Sequence, residues 1–75
     1  MKDKIKEHYY KDTLLYQALQ ARYMAEMIEA KANIEVYLDK HVGVAEHPNI
    51  VESLDKLIEQ YSNAEEKLKV LEEKF

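Results

Sequence analysis

The chain has no cysteine and no tryptophan, one glycine, one proline, one phenylalanine and one arginine among its 75 residues. Each scarcity removes a class of protein. Without cysteine there is no disulfide framework, no thiolate chemistry, and no zinc site except one made from three histidines and carboxylates. One glycine and one proline leave few places for turns. A single arginine in a chain of net charge −4 is a poor basis for gripping phosphates. No apolar run approaches the ~20 residues of a membrane span. None follows a charged start in the manner of a signal peptide either. The expected setting is therefore a cytoplasm or an assembled particle.

What remains is Leu, Ala, Glu and Lys, with 35% charged residues, the composition of long helices. The charge is uneven. Residues 1–40 carry seven basic and seven acidic side chains, whereas residues 41–75 carry four and eight. The only Gly and the only Pro fall together in "KHVGVAEHPNIVE". Gly43 suits the left-handed position after a helix, and Lys40 and His41 complement the dipole of its last turn. Pro48 cannot continue a helix, and Asn49-Ile50-Val51-Glu52 has the form of a capping box. The expectation is one domain, an all-α antiparallel two-helix hairpin, with helices at about 3–41 and 49–74 and a turn at about 42–48.

The second helix carries one apolar stripe. Ile50, Leu54, Leu57, Tyr61, Ala64, Leu68, Leu71 and Phe75 alternate spacings of four and three, an uninterrupted heptad pattern. The first helix carries two stripes on opposite sides. One is rich in alanine: Leu14, Ala18, Ala21, Ala25, Ile28, Ala32 and Val36. The other returns a tyrosine at heptad intervals: Tyr9, Tyr16, Leu19, Tyr23, Met27, Ala30, Ile34 and Tyr37. One partner helix can cover only one of them. Close packing favours small residues facing large ones, which assigns Ala18, Ala21, Ala25, Ile28 and Ala32 to the intrachain seam with Leu54, Leu57, Tyr61, Leu68 and Leu71. On that assignment Ala25→Leu and Ala32→Leu damage the seam. The tyrosine stripe is then the free face, and a homodimer forming a four-helix bundle is expected to use it, or else another protein docks there.

Reactive constellations are scarce. A helical di-metal site wants Glu-x-x-His, yet Ile5, Leu38 and Val44 stand three before His8, His41 and His47. Ser53, Ser62 and Thr13 have no histidine in helical reach for nucleophilic work. A small helical chorismate mutase would hold its dicarboxylate with several cations, and Arg22 is the one arginine here. The expectation is a non-catalytic chain without cofactor or metal, acting by protein–protein contact in a structural or adaptor role. The alternative is a nucleic-acid-associated regulator using the basic arm Lys2, Lys4, Lys6 and Lys11, whose binding would weaken steeply with salt.

The segment Tyr37–Phe75, "YLDKHVGVAEHPNIVESLDKLIEQYSNAEEKLKVLEEKF", with its Val-Gly-Val-x-Glu-His-Pro turn, resembles short helical proteins of T4-like cyanobacterial phages. The likeness covers the C-terminal half and, more loosely, the tyrosine-rich helix. It implies a phage-encoded virion component or accessory factor, made in a host cytoplasm, and brings no catalytic or binding residues.

Overall fold

The computed structural model describes residues 10–40 and 49–75. They form two α-helices, α1 (Leu14–Lys40) and α2 (Ile50–Lys74), and no strand occurs among the described residues. Contacts join Gln20 to Glu72 and Gln60 to Glu26 and Glu29. Early residues of one helix thus meet late residues of the other, and the pair is an antiparallel hairpin. The expected turn around Gly43 and Pro48, with His41 and His47, lies outside the described residues.

Helix α1 begins later than its composition suggests. Tyr10 and Lys11 are helical, Asp12 and Thr13 are not, and the regular helix starts at Leu14. Thr13 is the reason. Its Oγ1 accepts the Tyr16 backbone N–H at 3.2 Å and donates to the Tyr10 carbonyl at 2.7 Å. Its own carbonyl accepts the Gln17 N–H at 3.1 Å, the first bond of the new helix. This is N-cap geometry. Thr13→Ala is expected to cost ~1 kcal/mol in urea-unfolding stability, with Thr13→Ser close to wild type.

At the start of α2 the expected capping box does not form. Asn49 has φ −102° and ψ 40°, outside the extended region that aims a capping side chain at the first turn, and its side chain makes no cap bond. Only its carbonyl takes part, accepting the Ser53 N–H at 3.0 Å. The helix ends with the Phe75 N–H on the Leu71 carbonyl at 3.1 Å.

Among the described residues the buried apolar set is small: Tyr16, Ala30, Ala64 and Leu71. Around it, Tyr23, Met27, Ile34 and Tyr37 of α1 and Leu54, Leu57, Tyr61 and Leu68 of α2 are half-buried. The tyrosine stripe therefore lies on α2, reversing the face assignment made from the sequence. Tyr16 is 6% exposed and Ala30 0%, whereas Leu14 is 81% and Ile28 66% exposed, and Ala18, Ala21, Ala25 and Ala32 are all exposed. Apolar area explains the choice. Tyrosine, methionine and isoleucine remove far more surface from water than alanine does, and burial free energy scales with that area. The need for small residues against large ones is met within this seam by Ala30 and Ala64, one on each helix.

Candidate functional site

With α2 on the tyrosine side, the surface left open on α1 is the alanine stripe. Residues two apart on a helix differ by about 200°, so Leu14, Ala21 and Ile28 point almost directly away from Tyr16, Tyr23 and Ala30. Ala18, Ala25 and Ala32 complete the stripe, and Val36 prolongs it at 43% exposure. Six consecutive positions at spacings of four and three, all apolar and all exposed, form a ready packing surface for another helix. Met24 flanks it, and Val51 and Ile58 add exposed apolar area on α2.

The two flanks of the hairpin differ in chemistry. On one, a groove of about 250 Å³ between the helices is lined by Met24, Met27, Ile28, Lys31, Tyr61 and Leu68, and it joins the seam to the edge of the alanine stripe. The other flank has two larger grooves, about 470 and 460 Å³. One is lined by Asn33, Val36, Tyr37, Ser53, Lys56, Leu57 and Gln60, the other by Leu19, Tyr23, Glu66, Lys67, Val70, Leu71 and Phe75. The Lys67 ammonium stands 5.9 Å from the centre of the Tyr23 ring, a cation–π contact over the rim of the seam. On the same flank, Gln60 Nε2 donates to the Glu26 carbonyl at 3.2 Å and to Glu29 Oε1 at 3.1 Å. Such bonds fix register more than they add stability.

Gln20 is polar, yet it does not lie on a flank of α1. It occupies a seam position instead, half-buried, with its Nε2 donating to Glu72 Oε2 at 3.0 Å. Its spacing betrays it: Tyr16, Gln20, Tyr23, Met27, Ala30, Ile34 and Tyr37 alternate four and three without a gap. Leu19, expected on the free face, lies at the rim of the seam, 39% exposed. Two ion pairs, Arg22–Glu26 at 3.6 Å and Lys56–Glu52 at 3.8 Å, join residues four apart on exposed helix surface and are worth roughly 0–1 kcal/mol each.

Among the described residues no three His, Cys, Asp or Glu side chains come together as a metal site would require. No helix among them is long and apolar enough to cross a membrane. His8, Tyr9 and the basic residues Lys2, Lys4 and Lys6 lie outside the described residues. No protein family, curated protein or solved structure matches the chain.

Proposed function

We propose that this is a non-catalytic helical protein that works by protein–protein contact, with the alanine-rich stripe of α1 as its contact surface and a second copy as its first partner. The observation that carries this reading is the stripe itself: Leu14, Ala18, Ala21, Ala25, Ile28 and Ala32, apolar throughout and exposed throughout. Among the described residues Tyr16 and Leu71 are the two buried large side chains, a small core, and chains of this size commonly complete one by assembly. Two hairpins joined through α1 make a four-helix assembly. The likeness of Tyr37–Phe75 to short proteins of T4-like cyanobacterial phages fits a virion component or accessory factor in a host cytoplasm, and that setting is part of the same proposal.

The test is the solution mass by light scattering across chain concentrations of ~5 to ~500 μM, since association follows mass action. A mass twice the chain's 8.9 kDa is the expected result. A folded protein of 8.9 kDa at every concentration would overturn self-association.

A further inference from the structure

We infer that the second copy lies antiparallel along the alanine stripe in one register, with Leu14 against the partner's Ala32, Ala18 against the partner's Ile28 and Ala21 against the partner's Ala25. This rests on the self-association proposed above and adds its geometry.

The order of side-chain sizes along the stripe is the argument. Read forward it runs Leu, Ala, Ala, Ala, Ile, Ala; read backward it runs Ala, Ile, Ala, Ala, Ala, Leu. Laid antiparallel, the two sequences put an alanine opposite every large residue, so no layer holds two large side chains. The four outer layers each pair one large residue with an alanine, and the two central layers are alanine on alanine, where the helices can approach closely. Laid parallel and in register, Leu14 meets its own copy and so does Ile28. Those two layers would hold the helices apart while the alanine layers stayed open. A closed two-fold dimer of one surface admits both arrangements, so side-chain size decides between them.

Charge fixes the register. Sliding the partner one heptad in one direction sets Glu35 against Ala18 and Asp39 against Leu14; sliding it the other way sets Lys11 against Ile28. Either slip brings a charged side chain into an apolar layer without a partner. In the proposed register all six layers stay apolar. The flanks tolerate it as well. Met24 meets its own copy beside the axis on the side of the 250 Å³ apolar groove. On the other side Arg22 approaches its own copy, each guanidinium already paired with Glu26 at 3.6 Å.

Because the chain has no cysteine, introduced thiols report only on themselves. The double variant A18C/I28C is oxidised mildly and run without reductant. Within one chain those positions are about 15 Å apart along the helix, too far for a disulfide, so a bond must join two chains. The expected result is a covalent dimer at least ~10-fold more abundant than from either single variant, since only the antiparallel pair brings unlike positions within disulfide reach. Covalent dimer from I28C alone would establish the parallel arrangement and overturn the inference. Covalent dimer from A25C/I28C in place of A18C/I28C would establish a one-heptad slip and overturn it too. If the wild type scatters as a dimer and A18C/I28C stays uncrosslinked, this geometry fails and self-association stands. If the wild type is monomeric, both fail.

Discussion

Tyr16→Ala is expected to leave about half or more of the molecules unfolded at 25 °C. Tyr16 is 6% exposed, the most buried of the large side chains at the seam, and its ring lies near the end of α1 where α2 finishes. Truncating a buried aromatic to alanine costs ~3–5 kcal/mol. A core in a chain this short rarely supplies more than ~3–5 kcal/mol in total. The two quantities are equal in size, so one substitution consumes the stability. Two controls isolate the cause. Tyr16→Phe keeps the ring and is expected to stay folded. Leu15→Ala, at the neighbouring position, removes a side chain that is 81% exposed and is expected to shift stability by no more than ~0.5 kcal/mol. Urea titrations by circular dichroism, all at one chain concentration because association and folding are linked, give the comparison. Were Tyr16→Ala as stable as Leu15→Ala, the tyrosine side of α1 would not be the seam.

The hairpin was legible because α2 offers no choice. It has one stripe, from Ile50 to Phe75, and the chain's only glycine and proline both precede it. α1 was harder because it is apolar on two opposite sides, and periodicity reveals a stripe without saying what covers it. Matching small residues to large ones selected the alanine side. Area selected the tyrosine side, and the extent of each stripe carried the same information. The tyrosine-side pattern keeps its four–three spacing to Tyr37, enough to follow α2 along its length. The alanine-side pattern meets Glu35 and then Asp39 at its next heptad positions. A stripe that stops early suits a shorter contact with another chain. The break at Asp12–Thr13 was missed because no glycine or proline marks it. The available signal was a threonine directly before an apolar helical run, which is how a side-chain cap appears in sequence. The reverse happened at Asn49, where the residue pattern of a capping box was present and the backbone conformation it needs was not.

Ala25→Glu is expected to dissociate the assembly while leaving the hairpin folded. Position 25 is exposed on α1, so a longer side chain has room within its own chain. Glutamate is nearly as good a helix former as alanine, and at this position it stands three residues after Arg22, a favourable spacing for an ion pair. In the dimer the same side chain enters the layer shared with the partner's Ala21. Symmetry brings in two such carboxylates, close to each other and cut off from water. An unpaired buried carboxylate costs several kcal/mol, and each 1.4 kcal/mol is tenfold in a dissociation constant, so at least ~100-fold weaker association follows. Light scattering is expected to move from twice 8.9 kDa to 8.9 kDa, with the helical circular dichroism of a folded hairpin retained. Tyr16→Glu would also lower the mass, by unfolding the chain, and would lose the helical signal with it. The pairing of mass and helicity thus separates the two faces of α1. If Ala25→Glu remained a dimer, the contact surface would lie elsewhere, and the apolar flank formed by Met24, Ile28, Ile58 and Tyr61 would be the next face to substitute.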